Sequence, residues 1–113
     1  MKIITETLTL AELNQMAANA FGDLVKAVVD VEREVLALDA ELHSDLEAYL
    51  LEDGSKQKNL WGINLYPREQ GEGFIEFDSM INMRPSQGNT SRGIENEELR
   101  KRIIAIVTKK VAK

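Results

Sequence analysis

The sequence contains no cysteine. This excludes thiol nucleophiles, disulfide bridges, cysteine-ligated zinc and iron–sulfur clusters as a basis for function. It also fits a reducing compartment, so we expect a cytoplasmic protein. No apolar run approaches the roughly 20 residues of a membrane-spanning helix, and the N-terminus lacks the long apolar stretch of a secretory signal. We therefore expect no membrane partner.

Internal repeats, low-complexity tracts and linkers rich in Pro, Ser or Gly are missing as well. The 113 residues are the size of one ordinary domain. Hydrophobic residues make up 43% of the chain and charged residues 29%, which allows a packed core without disulfides or metal. We expect residues 1–113 to form a single domain.

The net charge of −5 disfavours a general nucleic-acid-binding protein. Acidic residues are concentrated between Val31 and Asp53, where eight of them accompany the single Arg33. Six basic residues and no acidic one lie between Leu99 and Lys113. This asymmetry favours a homo-oligomer or another oriented partner, although two solvated faces would produce the same pattern.

Capping residues mark the starts of the predicted helices. Thr9 and Glu12 have the spacing of a capping box, and Ser44 with Glu47 repeats it. Asn96 is a favourable N-cap, followed by acidic residues and later by a basic last turn, which suits the helix dipole. Apolar residues recur at helical spacing behind each start. The predicted helices cover residues 9–22, 44–54 and the chain from 96 onwards.

Alternating apolar residues predict two hairpins of strands. The first pairs about Leu24–Val31 with Val35–Leu42, and the second pairs LWGINLYP with GFIEFDSMINMRP, residues 60–67 and 73–85. The resulting order is α-β-β-α-β-β-α. It favours an α+β fold, a two-layer sandwich in which three helices cover one face of a four-stranded, mainly antiparallel sheet.

Strand alternation also predicts which side chains point away from the helices. Acids, an amide, a phenol and a guanidinium would lie there beside Val28, Val35 and Met80. Such a polar face can bind a ligand or a subunit, or it can simply be solvated. The residues expected on it are Asp30, Asp39, Glu41, Asn64, Tyr66, Glu76, Asp78, Asn82 and Arg84.

The stretch RPSQGNTSR, residues 84–92, is a second candidate site. Its side chains can hydrogen-bond planar or anionic groups, and Gly88 and Gly93 permit close approach to a small anionic ligand. It leads to a helix N-terminus, which favours anions, although Glu95, Glu97 and Glu98 oppose a phosphate. Alternatively, its Arg and Asn residues pin a long loop. The candidate residues are Arg84, Ser86, Gln87, Asn89, Thr90, Ser91 and Arg92.

His43 is the only histidine of the chain. With Asp39 and Glu41 it could ligate a divalent metal, but its position just before a helix cap favours a staple-like packing role or an exposed one. A hydrolytic triad would need a serine nucleophile, and no serine has the surroundings of a nucleophile elbow. The serines considered are Ser79, Ser86 and Ser91. We expect no metal and no other cofactor.

Three runs of the sequence together resemble a known family: FGDLVKAVVDVE, ELHSDLEAYLLEDGSKQKNLWGINLYP and FIEFDSMINMRPSQGNTSRGIEN. The family is the prokaryotic domain of unknown function numbered 5674, and the resemblance covers nearly the whole chain. It implies a stand-alone cytoplasmic protein of about this length. It implies no activity, substrate or catalytic residue.

These observations leave several hypotheses about function. In the first, the protein is a small ligand-binding or protein-interaction module that uses the polar face and the 84–92 loop. In the second, it is an enzyme that holds a small anionic or phosphorylated compound with Arg84 and Arg92, and Asp78 or Asp30 is the base. These groups must then converge on one cleft. In the third, the basic C-terminal helix contacts nucleic acid, which the lack of interleaved aromatic residues disfavours.

Overall fold

The structure of the protein, a computed structural model, describes residues 1–112. Within these residues the chain forms three α-helices, seven short β-strands and single turns of 3-10 helix. The helices are α1 (Leu10–Asn19), α2 (His43–Glu52) and α3 (Glu97–Lys110). The strands are β1 (Lys2–Ile4), β2 (Leu8–Thr9), β3 (Val25–Asp30), β4 (Val35–Leu38), β5 (Leu60–Leu65), β6 (Ile75–Glu76) and β7 (Val111–Ala112).

Among the described strands, five form the main sheet in the spatial order β1-β4-β3-β5-β6, and every neighbouring pair is antiparallel. Strands β2 and β7 form a separate parallel pair that joins the start of α1 to the end of α3. The expected α+β class with helices and a mainly antiparallel sheet is confirmed. The main sheet has one strand more than expected, because Lys2–Ile4 pairs with the edge of β4.

A tight turn after Asp30 closes the hairpin of β3 and β4. The Asp30 carboxylate accepts hydrogen bonds from the N–H groups of Glu32 and Arg33, both at 2.9 Å. Glu34 then adopts a left-handed φ of 55°, and Val35 pairs with Asp30. Because Asp30 is only 1% exposed, its side chain serves this turn and does not lie on an open polar face.

Helices cover both faces of the main sheet, which differs from the expected two layers. Successive residues of β3 show this directly, because Ala27 and Val29 belong to the core under α1 and α3, whereas Val28 packs against α2. Leu46 and Leu50 of α2 complete the second core. The face expected to be polar carries too many apolar side chains to remain in water, so a helix covers part of it.

Two of the predicted helix starts are confirmed. Thr9 and Glu12 form a complete capping box, with Thr9 Oγ1 3.1 Å from the Glu12 nitrogen. The Asn96 side chain accepts a hydrogen bond from the third backbone N–H of α3. The second helix begins earlier than predicted, at His43, after the apolar N-cap Leu42. Within residues 1–112, no helix is long and apolar enough to cross a membrane.

The predicted fourth strand is wrong beyond its first residues. Strand β6 ends at Glu76, and Met80–Asn82 form a turn of 3-10 helix. Asn82 is fully buried, and its Nδ2 donates to the Gly62 oxygen at 2.9 Å. Its Oδ1 accepts from the Gly62 N–H at 2.8 Å. The Asn82 side chain thus takes the place of a neighbouring strand at the edge of β5.

A second buried amide, Asn89, organises the segment that follows. Its Nδ2 donates to the backbone oxygen of Asn82 at 2.6 Å and to the backbone oxygen of Gly93 at 2.8 Å. Its Oδ1 accepts from the Glu95 N–H at 2.9 Å, and its backbone pairs with that of Arg84. Residues 79–95 are therefore a loop held by its own hydrogen bonds against the edge of β5. We call this segment the edge loop.

Gly62 has no room for a side chain. A Cβ there would lie 2.6 Å from both Cβ and Oγ of Ser79 and 3.2 Å from Cδ2 of His43. We expect Gly62→Ala to lower the free energy of unfolding in urea by about 2 kcal/mol, because overpacking a core costs about 1–3 kcal/mol. Adding Ser79→Gly should restore part of the loss. Gly73→Ala is the control, since its Cβ would meet nothing closer than 3.4 Å, and equal losses at both glycines would contradict the prediction.

The bidentate role of Asn82 predicts that an aspartate cannot replace it. In Asn82→Asp an oxygen would face the Gly62 and Arg92 oxygens, which lie 2.9 and 3.0 Å from Nδ2. We expect a loss of about 3 kcal/mol in urea unfolding at neutral pH, since a buried unsatisfied polar group costs about 1–3 kcal/mol and a charged one more. Asn19→Asp, an exposed replacement, should cost much less. Similar losses in the two variants would disprove the role given to Asn82.

Candidate functional site

The structure separates the residues expected on one polar face. Asp30 is buried in the β3–β4 turn, and Asn82 is buried beside Gly62. Asp39 and Glu41 are exposed between β4 and α2. Four others stay together around β5 and β6, namely Asn64, Tyr66, Glu76 and Asp78. The ninth, Arg84, lies over the ring of Trp61.

A hydrogen-bond network joins side chains of β5 and β6. Glu76 Oε1 accepts from Asn64 Nδ2 at 2.8 Å and from the Tyr66 hydroxyl at 3.0 Å. Desolvation, together with this contact with Glu76, raises the pKa of Tyr66. Asn64 is 6% exposed, and its Oδ1 has no hydrogen-bond partner within the described part of the chain. This oxygen is enclosed by protein, so one buried acceptor of β5 remains without a partner among residues 1–112.

Asp78 and Arg92 form an ion pair, in which Nε of Arg92 lies 2.7 Å from Oδ1 of Asp78. The two side chains are 43% and 55% exposed respectively, so solvent screens the pair and its contribution to stability is small. The pair acts electrostatically on His43, as does Lys26 of β3. The polar face and the 84–92 loop, which share Arg84 in the sequence prediction, therefore also meet at this ion pair.

His43 is buried under the start of α2 against β5. Its Nε2 lies 2.8 Å from the Ile63 oxygen, and because a carbonyl oxygen only accepts, the ring carries a proton on Nε2. Burial lowers the pKa of His43, and the hydrogen bond to Ile63 offsets this in part. The ring is therefore a neutral donor to the main sheet, which agrees with the packing role considered from the sequence.

His43 and Ser79 do not form a catalytic pair. Both side chains lie beside Gly62, where an added Cβ would meet Ser79 Oγ and His43 Cδ2. Ser79 is 1% exposed, and its Oγ accepts from the Ile81 N–H at 3.2 Å. His43 Nε2 bonds to the Ile63 oxygen, and no serine–histidine hydrogen bond joins the two residues in the described part of the chain.

The guanidinium of Arg84 is already hydrogen-bonded to the backbone of the protein. It donates to the carbonyl oxygens of Gln57 and Leu60 and lies 3.9 Å from the ring centre of Trp61. Burial lowers the pKa of Arg84. Gln87, another candidate, donates to a carbonyl oxygen of the same segment at 3.1 Å. These side chains pin the edge loop to the start of β5 and to the segment before it, the alternative considered from the sequence.

The enzyme hypothesis required both arginines and a carboxylate to converge on one cleft. Arg84 contacts Trp61, whereas Arg92 contacts Asp78, and within residues 1–112 the two guanidinium groups share no hydrogen-bond partner. Asp30 caps a distant turn at the end of β3. This arrangement does not form the anion cradle that the hypothesis required. Of the other loop candidates, Asn89 is buried, and the exposed ones are Ser86, Thr90 and Ser91.

In the part of the chain that the structure describes, no three His, Asp or Glu side chains are grouped so that they could hold a metal ion. The trio considered from the sequence is therefore not such a group. Asp39 adopts a left-handed φ of 74° just after β4, so the strand does not continue through Glu41. His43 is turned towards the Ile63 oxygen.

A groove that the sequence did not predict opens between α3 and the segment that joins β5 to β6. Its volume is about 970 Å³, and we call it the apolar groove. Ile104 in the wall of the groove is 43% exposed, and the aromatic side chains of the groove, Phe74 and Phe77, are only partly buried. The apolar residues that line it are Leu10, Pro67, Phe74, Ile75, Phe77, Ile104, Val107 and Val111.

One signal of the apolar groove was present in the sequence. Ile104 is an apolar residue outside the core stripe of the last helix, and Phe74 stands at the start of a predicted strand. Periodicity places each on its own element but does not say how α3 crosses the sheet. Their meeting at one groove could therefore not be predicted.

An acidic pocket of about 490 Å³ adjoins the apolar groove. Glu69, Glu72 and Ile75 line both depressions, so these form one continuous surface around the β5–β6 connection. We call the second depression the acidic pocket. Its complete lining is Tyr66, Glu69, Glu72, Gly73, Ile75 and Glu76.

The burial of His43 predicts a pH dependence of stability. Its pKa in the folded state lies below the ordinary value of 6.5, so the unfolded chain binds the proton more readily. The contribution of neutral His43 to the free energy of unfolding is fully present above pH 6.5. It decreases as the pH falls below 6.5 towards the lowered pKa of the folded state. His43→Gln should remove this part of the pH slope, measured by urea unfolding between about pH 7.5 and about pH 5. An unchanged slope in the variant would contradict the assignment.

A model of the family described as "Protein of unknown function (DUF5674)" matches residues 2–110. No curated protein and no solved structure matches the chain. The matched range includes the edge loop, the apolar groove and the acidic pocket, except for the last groove residue, Val111. The resemblance seen in the three sequence runs is confirmed: the chain belongs to the DUF5674 family.

Proposed function

We propose that the protein is a binding module that holds a small molecule with an apolar body in the apolar groove. The observation that carries this proposal is the groove of about 970 Å³ with a mainly apolar, incompletely covered wall. Its volume lies at the upper end of the range of about 300–1,000 Å³ that small-molecule sites occupy. A mostly apolar lining with a few polar groups is also typical of such sites.

The side chains at the groove wall explain why a ligand would stabilise it. Phe74 and Phe77 are half-buried and Ile104 is exposed, so part of the hydrophobic surface stays in water. Covering apolar surface contributes roughly 25 cal/mol per Å² before the cost of binding is subtracted. A ligand with an apolar body supplies that cover without competing with the hydrogen bonds of the main sheet.

The polar side chains near His43, which are Asn64, Glu76, Asp78 and Arg92, give less support to a binding function. Most of its donors and acceptors already bond to one another or to the backbone, as in Asp78 with Arg92 and Asn64 with Glu76. A polar ligand there would have to replace these bonds. The apolar groove requires no such exchange, and this favours it over the polar face.

Several expectations from the sequence remain proposals. The uneven charge supports a homo-oligomer, the lack of cysteine supports a cytoplasmic location, and the chain length supports a single domain. A small anionic ligand at the 84–92 loop has less support, since Arg84 is occupied. Nucleic-acid binding by α3 also has less support, because Lys101 lies near Glu97 and Glu98 and Lys109 lies near Glu34.

A fluorescent probe tests the proposed function. We expect dansyl pentylamide, a neutral molecule with a naphthalene ring, to bind with increased emission. Ile104→Glu should weaken this binding at least about tenfold, because it places an unpaired carboxylate at the groove wall. Leu51→Glu is the matched control, since Leu51 is 41% exposed and lies on α2, on the opposite face of the main sheet. Failure of the native protein to bind the probe, or equal losses in the two variants, would disprove the proposal.

A further inference from the structure

The surface that joins the apolar groove to the acidic pocket has an uneven charge. Around the β5–β6 connection, the segment contains the glutamates Glu69, Glu72 and Glu76 and a single basic residue, Arg68. Among residues 1–112, none of these glutamates forms an ion pair with a lysine or arginine. The negative charge at this end of the groove is therefore not neutralised locally.

Arg100, the second arginine that lines the apolar groove, bonds to the end of the edge loop. Its guanidinium donates to the Ile94 oxygen at 2.5 Å and to the Glu95 oxygen at 3.1 Å. It thereby fastens the end of the edge loop to α3. Within residues 1–112 it forms no ion pair with the glutamates of the β5–β6 connection, and it does not line the acidic pocket.

The acidic pocket contains the groups that recognise a cation. Carboxylates accept charge-assisted hydrogen bonds from ammonium and guanidinium groups, and an aromatic ring such as that of Tyr66 attracts a cation at its face. Asn64, which bonds to Glu76 beside the pocket, is more than nine-tenths buried and keeps an unpartnered acceptor oxygen. The carboxylates that line the pocket are likewise acceptors, so a ligand there must bring donors.

Building on the proposed function, we propose that the ligand is an amphipathic cation. Its apolar body lies in the apolar groove, and its ammonium or guanidinium group reaches the carboxylates of the acidic pocket. The two depressions share Glu69, Glu72 and Ile75, so one molecule can occupy both without crossing a barrier of protein. Exposed charge pairs are weak in water, so the apolar body supplies most of the affinity and the carboxylates supply the selectivity.

Three probes with one fluorophore separate these contributions. Dansyl pentylamide is neutral, dansylcadaverine carries an ammonium group at the end of the same chain, and 6-(dansylamino)hexanoic acid carries a carboxylate. We expect the cation to bind about fivefold more tightly than the neutral probe at low salt, and the anion to bind least tightly. The preference should decrease as salt is added, because the carboxylates are exposed.

Charge-removing variants locate the selectivity. Glu69→Gln with Glu72→Gln should abolish the preference for dansylcadaverine, measured as the ratio of its affinity to that of dansyl pentylamide in the same variant. Glu41→Gln with Glu52→Gln is the control, because it changes the net charge equally at exposed positions before and at the end of α2. Equal binding of cation and neutral probe, tightest binding of the anion, or a preference that survives the first double variant would overturn this inference. If none of the three probes binds, the proposed function itself fails.

Discussion

The pairing of the Asn82 amide with both backbone groups of Gly62 is the contact on which the arrangement of the sites depends. Strand β6 is too short to cover the edge of β5, and the side chain of Asn82 satisfies the backbone groups that it leaves open. With Asn82 fixed there, Asn89 bonds to the Asn82 oxygen and shapes the rest of the edge loop. The edge loop then leads into α3, which forms one wall of the apolar groove. The buried amide of Asn82 at the edge of β5 therefore helps to position the apolar groove, which lies on the face of the main sheet covered by α3.

Coverage of the main sheet on both faces explains where polar side chains are free and where they are not. Strand β3 lies inside the sheet and has apolar residues on both sides, so α2 must cover the side that α1 and α3 leave open. The start of α2 buries His43. Only a small group of polar side chains on this face of the main sheet is not covered by α2. In that group, Asp78 bonds to Arg92 and Asn64 bonds to Glu76. The polar face that a two-layer fold would expose is thus largely used for structure.

The polar residues of the edge loop and the apolar residues of the groove therefore have different roles. Arg84, Asn82 and Asn89 all bond to backbone oxygens, and they give the loop one defined conformation because buried polar groups need partners. The apolar side chains of the groove have the opposite property, because they make no hydrogen bonds and part of their hydrophobic surface stays exposed to water. This contrast between polar side chains bonded to the backbone and uncovered apolar surface favours a binding module over the chemistry of paired arginines.

The sequence by itself determined the α+β class, the helices, the β3–β4 hairpin and the caps at Thr9 and Asn96, because periodicity and capping are local properties. It also singled out Arg84 and the asparagines, but it left open whether they bind a ligand or pin the loop. Only the tertiary structure decided that α2 covers the second face, that β6 ends at Glu76, and that Asn82 pairs with Gly62. These outcomes depend on contacts between segments about 20 residues or more apart, where side-chain alternation gives no information. The apolar groove belongs to the same class, since it exists only where α3 crosses the β5–β6 connection.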